Sequence, residues 1–196
     1  NGSSIGCHGE GCEIAYLNYA LSFNGSGDYI QVGAEGSENY GSDFDIGTLL
    51  GSGPFSVSFW YYTDENPQGG DDYEFLIDQR RLDNWGDGWL VMNSGGNIRF
   101  DIQVGESSDE RVSSLTTIET GTWNYIFCTY DGQTSNIYLN GNFENSTDVG
   151  LRRSNTVGMA IGSRFTHNEK YLNGIIDELS IWDRAVSEEE IQNEFI

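Results

Sequence analysis

GTWNYIFCTYDGQTSNIYLNG (121–141) is the stretch that decides the fold, because it contains two strands together with their turns. Aromatic and β-branched residues dominate WNYIFCTY (123–130) and NIYLN (136–140), and the periodicity is two, which is typical of β-strands. Asn140-Gly141 then precedes NFEN, and both central positions of a type I′ turn need the positive φ that Asn and Gly tolerate. The stretch therefore predicts consecutive antiparallel strands joined by tight turns.

Further segments of the same character flank this stretch at a spacing of roughly ten residues. They are FSVSFWYYT (55–63), EFLIDQ (74–79), GWLVMN (88–93) and NIRFDIQV (97–104). Gly, Asn, Asp or Ser punctuates each of them, and the chain has 26 glycines but only 2 prolines. Many short strands between tight turns are typical of sandwiches and jelly rolls. We predict an all-β protein, a two-sheet antiparallel jelly-roll sandwich.

One helix is expected at the C-terminus. Ser187 and Glu190 form a capping box, in which the serine hydroxyl accepts from the Glu190 amide and the glutamate reaches back to the Ser187 amide. Val186 and Ile191 stand at the staple positions that flank this cap. Ile191 and Phe195 lie four residues apart and give the short helix one apolar face. We expect it to plug one end of the sandwich.

Length and charge restrict the function. The 196 residues are treated as a single domain, 1–196, with residues 1–18 as an N-terminal extension. The formal net charge of −22 repels nucleic acid phosphates and anionic lipid, so neither is an expected partner. No apolar run approaches the ~18 residues of a membrane span. No attached signal peptide is visible, and one cleaved before Asn1 would leave no trace.

The three cysteines have two explanations. Cys128 lies inside an apolar run, where a small buried hydrophobe is expected. Cys7 and Cys12 frame a short loop and would close a disulfide if the protein is exported. A zinc site is disfavoured because His8 and Glu10 add too few ligands.

The order of four segments resembles the laminin-G-like, concanavalin A-like jelly rolls. YALSFNGSGDYIQV resembles the opening strand pair of that family, and PFSVSFWYYTD its first long strand. The 121–141 stretch resembles its paired central strands, and LNGIIDELSIWDRAVSEEEI its closing strand and helix. The segments are residues 19–32, 54–64, 121–141 and 172–191. The resemblance implies the jelly-roll fold, but the family includes lectins, adhesins, binding modules and some hydrolases and lyases.

A calcium site is expected where the opening and closing strands meet. In IIDELSIW (175–182), alternation would place Asp177 on the face of Leu179, where a carboxylate is costly unless it binds a cation or accepts hydrogen bonds. The resemblance implies that this strand lies close to the opening turn. Asp177, Asp28 and Asn24 would then supply oxygen ligands to one Ca²⁺. The alternative is that both aspartates only cap turn amides.

A carbohydrate site is expected on the longer loops. A sugar ring stacks its C–H face on aromatic rings, and its hydroxyls pair with Arg and Asn side chains. One hairpin offers this mixture in Tyr73, Arg80, Arg81, Asn84 and Trp85. A second cluster contains Arg164 and His167, with Asn168, Lys170 and Tyr171 beside them. Such basic groups could select uronate or sulfate. The alternatives are that Trp85 is a lid on the core edge and that the cations pair with neighbouring carboxylates.

Catalysis is not expected. Glycosidases need two facing carboxylates, and the Glu-x-Asp-x-x-Glu pattern of related enzymes is absent. The nearest acidic run, Asp177-Glu178, would place its members on opposite faces of a strand. Neither His8 nor His167 has the setting of a catalytic triad.

Together these residues and the resemblance imply a calcium-stabilised, lectin-like module that is secreted or at the cell surface. Its expected partner is a polysaccharide or cell-surface glycan. It would be one part of a longer adhesin or polysaccharide-active enzyme, without membrane insertion. The alternative is a structural or protein-interaction domain of an extracellular multidomain protein.

Overall fold

The computed structural model describes residues 20–33, 50–80, 87–104, 109–152, 158–165 and 170–195. They form two six-stranded sheets in which every paired strand is antiparallel. The predicted all-β jelly-roll sandwich with a short C-terminal helix is therefore confirmed. Within these residues, no helix has both the length and the apolar character needed to cross a bilayer.

The first sheet contains, in spatial order, β1 (Leu21–Asn24), β12 (Asn173–Trp182), β3 (Phe55–Tyr62), β8 (Trp123–Tyr130), β9 (Thr134–Leu139) and β10 (Asn142–Asp148). The second contains β2 (Ile30–Val32), β11 (Met159–Ile161), β4 (Glu74–Arg80), β5 (Gly88–Ser94), β6 (Asn97–Gln103) and β7 (Asp109–Ser113). The helix α1 spans Glu188–Phe195.

The turn predicted at Asn140-Gly141 joins β9 to β10. Both residues have positive φ, 49° and 75°, as a type I′ turn requires. The Asn140 side-chain oxygen also accepts a hydrogen bond from the Tyr125 amide at 2.8 Å, which ties the turn to β8. The stretch that decides the fold thus forms the neighbouring strands β8 and β9 and the turn that leads into β10.

The core lies between the two sheets. Phe55 and Phe59 of β3 meet Trp89 of β5 and Phe100 of β6, and all four are fully buried. The ring centroids of Phe55 and Trp89 are 5.1 Å apart. Burial of each such side chain stabilises the fold by about 1.5–3 kcal/mol. Trp89, the second residue of the predicted strand GWLVMN (88–93), is thus a core residue.

Cys128 is also fully buried, with a free thiol, which confirms its prediction as a small core residue. Burial raises the pKa of this thiol. Cys7, Cys12 and the N-terminal extension lie outside the described residues, so the disulfide stays a prediction.

Helix α1 lies on the outer face of the first sheet and does not plug the end of the sandwich. Ile191 packs with Tyr125 and Phe127 of β8, and Phe195 stacks on Trp60 of β3. Tyr125 and Phe127 alternate along β8 with residues that face the other sheet. The strand is therefore apolar on both faces, and the helix covers the face that the second sheet does not reach.

The start of α1 follows the predicted capping box. The Ser187 amide donates to the Glu190 carboxylate at 3.0 Å, and the Glu190 amide donates to the Ser187 hydroxyl at 3.4 Å. Val186 and Ile191 belong to one apolar cluster, as the staple requires. The cap is thus set by local sequence, whereas the position of the helix is set by the sheet beneath it.

The predicted alternation of side chains along β12 is wrong, because the strand contains a β-bulge. The register with β3 shifts between Asp177 and Ser180, and Glu178 has a φ of 51°. The inserted residue reverses which side chains face inward. Ile176 and Leu179 therefore both face the core, while Asp177 lies opposite Trp60 on the outer face.

Gly162 provides a test of how β1 packs on the core. Its φ is 84°, and a Cβ added there would lie 2.4 Å from the ring of buried Phe23. Gly162→Ala therefore combines a strained backbone with overpacking, and we expect a loss of about 2–4 kcal/mol in the free energy of unfolding. Gly121→Ala is the control, since its φ is 72° and no atom lies within 4 Å of the added Cβ.

Urea unfolding of both variants measures the difference. The control should lose only the ~1–2 kcal/mol of a left-handed alanine. Equal losses in the two variants would show that β1 does not pack on Gly162 as described.

Candidate functional site

The outer face of β4 carries polar and aromatic side chains between fully buried neighbours. Ile77 pairs with Val91 and faces the core, whereas Phe75 pairs with Met92 and Asp78 with Leu90 on the outer face. A bulge between Phe75 and Ile77 sets this arrangement. The outer residues of β4 are therefore held by a well-packed central strand.

A buried ion pair fixes Arg80 on this face. The guanidinium donates to both carboxylate oxygens of Asp78, from Nε at 2.7 Å and from Nη2 at 2.9 Å. Asp78 is only 1% exposed and also accepts from the backbone N–H of Phe165 at 3.2 Å. The guanidinium carbon lies 5.1 Å from the ring centroid of Phe75. A two-point fork and an aromatic ring thus orient Arg80.

Lys170 and Tyr73 form a second cation–aromatic contact beside β4. The ammonium lies 4.6 Å from the Tyr73 ring centroid and also donates to the carbonyl of Asp71. Tyr73 in turn meets the ring of Phe75 edge-on at 5.5 Å. The Phe75 amide donates to the Lys170 carbonyl at 3.2 Å. The loop before β12 is therefore attached directly to the start of β4.

The structure brings described members of the two predicted basic clusters close together, although they are about 90 residues apart in the sequence. Tyr73 and Arg80 come from the first cluster. Arg164, from the second, directly precedes Phe165, whose amide donates to Asp78 and whose ring packs on Ala160 of β11. The other predicted ligand residues, Arg81, Asn84, Trp85 and His167, lie outside the described residues.

Sequence reasoning missed a second ion pair on the same face. Arg99 and Asp101 of β6 form the same fork, with Nε to Oδ1 at 2.6 Å and a further contact from Nη2 to Oδ2. Asp101 and Asp78 flank Leu90 of β5 on both sides. The signal was present, because an Arg and an Asp two residues apart on a strand share a face.

Gln103 adds a buried amide to the end of this face. Both of its side-chain polar atoms are buried and have no hydrogen-bond partner within the described part of the chain. It lies opposite Gly88 of β5, which has no side chain to meet it. A buried unpaired amide costs free energy, so this position is not optimised for stability alone.

The structure does not bring the predicted calcium ligands together. Asn24 lies opposite Asn173, and Asp177 is four residues further along β12, which places it roughly 13 Å along the sheet. That separation is too long for two short side chains to bind one ion. The Asn24 oxygen accepts from the Ser26 amide at 2.8 Å, and Asp177 accepts from the Glu178 amide at 2.9 Å.

Asp28 lies in an exposed turn between β1 and β2. No group of three or more His, Cys, Asp or Glu residues suited to a metal ion occurs among the described residues. Asn24, Asp28 and Asp177 therefore do not fit a single calcium ion. Calcium stabilisation stays a prediction, and the melting temperature in calcium compared with a chelator tests it.

Glu74, at the start of β4, has a strongly perturbed carboxyl group. Burial is the main cause that raises the pKa of Glu74 to about 7, and the nearby charges of Asp72 and Glu65 act in the same direction. Hydrogen bonds from the Asn173 backbone and the Tyr61 hydroxyl lower the pKa by a smaller amount. The Tyr61 hydroxyl lies 3.4 Å from the Glu74 carboxylate. Glu74 therefore changes its charge near neutral pH on the inner side of β4, against Tyr61 of the first sheet.

The described geometry agrees with the sequence comparison. A family model described as the concanavalin A-like lectin/glucanases superfamily matches residues 24–192. The chain belongs to this superfamily. The confirmed resemblance accounts for the jelly roll, but a superfamily that contains both lectins and glucanases does not by itself assign an activity. Among curated proteins, no match to this chain was found.

Similar solved structures are receptor-binding domains of botulinum neurotoxins. The domain of mosaic serotype C/D has a TM-score of 0.66 at 19% identity over 88% of this chain and 40% of that one. The domain of serotype D has a TM-score of 0.63 at 18% identity, over 88% and 42%. A third, the binding domain of neurotoxin DC in complex with SialylT, has a TM-score of 0.58 at 14% identity, over 89% and 50%.

This superfamily member thus spans only 40–50% of the length of those structures. At these identities the likeness shows the jelly-roll fold alone. The site described here is therefore assessed on its own residues.

Titration of Glu74 gives a pH test. An acid whose pKa is raised on folding holds its proton more tightly in the folded state, so stability falls as pH rises from about 4.5 to about 7. We expect Glu74→Gln to remove this loss, so that the variant is more stable than the wild type at pH 8 and similar at pH 5. Urea unfolding at both pH values measures the change. Glu189→Gln, on exposed α1, controls for one lost charge and should behave like the wild type.

Proposed function

We propose that this chain is a non-catalytic carbohydrate-binding module that binds its glycan on the outer face of β4. The observation that supports this most strongly is that Tyr73 and Arg80 of one predicted cluster lie beside Lys170 and the Arg164–Phe165 backbone of the other. Residues from distant parts of the chain then contribute one aromatic ring and several cations to one surface. Ligand sites combine a few polar groups and aromatic rings in this way.

The chemistry favours an acidic glycan. The C–H face of a sugar ring packs on an aromatic ring such as Tyr73. Guanidinium and ammonium groups recognise the carboxylate or sulfate of an acidic sugar. Arg80 and Lys170 are already held against Phe75 and Tyr73, so binding costs less side-chain entropy.

A binding role without catalysis is supported by the state of the carboxylates. Asp78 and Asp101 each accept a two-point hydrogen bond from an arginine. Neither of these two carboxylates is therefore available to face a scissile bond as a glycosidase carboxylate does. The alternative function, a protein-interaction domain, would use the same loops without a sugar.

The relatives support the setting that we propose. They are receptor-binding domains of longer toxins, and one of them is in complex with SialylT. We infer that this chain is likewise a module of a longer, secreted or cell-surface protein whose ligand is a polysaccharide or surface glycan.

A glycan array with the purified chain tests the proposal, with and without a chelator. We expect acidic glycans among the hits and a loss of affinity of about threefold to tenfold in Tyr73→Leu. Arg164→Ala and Trp85→Ala should weaken the same hits. The matched control is Trp123→Ala, which removes a half-exposed aromatic ring from the first sheet and should leave these hits unchanged.

Two results would contradict the proposal. One is the absence of any glycan hit for the folded wild-type chain, which would favour the protein-interaction alternative. The other is an equal loss of affinity in Tyr73→Leu and Trp123→Ala, which would place the glycan away from β4.

A further inference from the structure

A pocket of about 410 Å³ lies on the other outer face of the sandwich, between the end of β12 and helix α1. We call it the Trp182 pocket. It is lined by Trp182, Arg184, Val186, Glu190, Asn193 and Glu194. The volume lies within the range of small-ligand sites. The pocket is on the first sheet, whereas the outer face of β4 belongs to the second, so the two are separate.

The walls of the pocket are fixed before any ligand arrives. The Trp182 ring stacks on Phe127 at 5.1 Å with an interplanar angle of 21°. The buried hydroxyl of Ser56 donates to the Arg184 carbonyl and accepts from the Val186 amide, both at 2.9 Å. One hydroxyl thus locks the turn between β12 and α1, and Trp182 is held as a rigid platform.

Charge on the pocket is negative once the internal ion pair is counted. Arg184 donates to both oxygens of Glu190 at 2.9 Å, so the charges of these two residues neutralise each other. This contact lowers the pKa of Glu190 to about 2, so the pair stays ionised. Glu194 then contributes a carboxylate that this pair does not neutralise. Asn193 and Glu194 follow Glu190 by three and four residues, so all three lie on the same face of the helix.

An aromatic ring beside a carboxylate and an amide matches one kind of ligand. A cation is attracted both to the face of an indole and to a carboxylate. A sugar ring supplies the apolar face for Trp182 and hydroxyls for the Asn193 amide. Uronates and sulfates would be repelled by Glu194. We propose that the Trp182 pocket binds an amino sugar, a pyranose with a protonated free amine, with Trp182 against the ring and Glu194 against the ammonium.

This inference does not rest on the proposed function at β4. The two sites lie on opposite outer faces of the sandwich. Each can therefore be removed by substitutions that leave the other intact.

The test compares two ligands that differ only in the amine. Binding of a glucosamine disaccharide and of its N-acetylated counterpart is followed by NMR titration of the tryptophan indole N–H signals. We expect the free amine to bind and the N-acetyl form to bind at least threefold more weakly. Glu194→Gln should weaken the amine ligand by about threefold to tenfold, and Asn193→Ala should weaken both ligands.

Matched controls come from the same helix. Glu189→Gln removes an equal charge from α1 outside the pocket, and Gln192→Ala shortens a neighbouring side chain. Both should bind the amine ligand like the wild type, as should Tyr73→Leu. Equal weakening by Glu194→Gln and Glu189→Gln would overturn the proposal, since it would reveal only attraction to a negative chain. Equal binding of the two ligands would overturn it as well.

Discussion

The structure depends on one constraint: β8, the strand WNYIFCTY (123–130), is apolar on both of its faces. Its inward residues, such as Ile126, close the core against the second sheet. Its outward residues, Tyr125 and Phe127, need a cover of their own, which α1 and Trp182 provide. Because apolar burial is the dominant favourable contribution to folding, the position of the helix follows from this strand. The Trp182 pocket exists because the helix covers only part of the aromatic face.

The outer face of the second sheet also carries buried side chains, but in the described residues it is covered by ion pairs instead of a helix. There, Leu90 is flanked by Asp78 and Asp101, and each carboxylate is held by an arginine two residues away on its own strand. A buried ion pair contributes little net stability but is sensitive to geometry, so such pairs are better suited to orienting side chains than to strengthening a fold. One scaffold therefore presents an aromatic, acidic surface on one side and a surface of arginine–aspartate pairs on the other.

Much of the fold could be predicted from local sequence patterns. The Asn140-Gly141 turn, the cap at Ser187 and the burial of Cys128 all follow from neighbouring residues, and all are confirmed. The face of Asp177 could not be predicted, because the bulge at Glu178 breaks the period of two on which the expectation rested. The meeting of the Tyr73 and Arg164 loops depends on the pairing of β11 with β4, a contact between distant segments that no local pattern encodes. The Arg99–Asp101 pair, in contrast, could be predicted, because two residues that are two positions apart on a strand share a face.

The central functional claim is that an acidic glycan binds the outer face of the second sheet. The most direct measurement is an NMR titration of the isotopically labelled chain with an acidic oligosaccharide, which maps the amides whose signals move. We expect the shifts to concentrate on Tyr73 to Arg80 and on the Arg164 loop, with β3 and β8 unaffected. Shifts centred on β8 and α1, or none on β4 at saturation, would contradict the account.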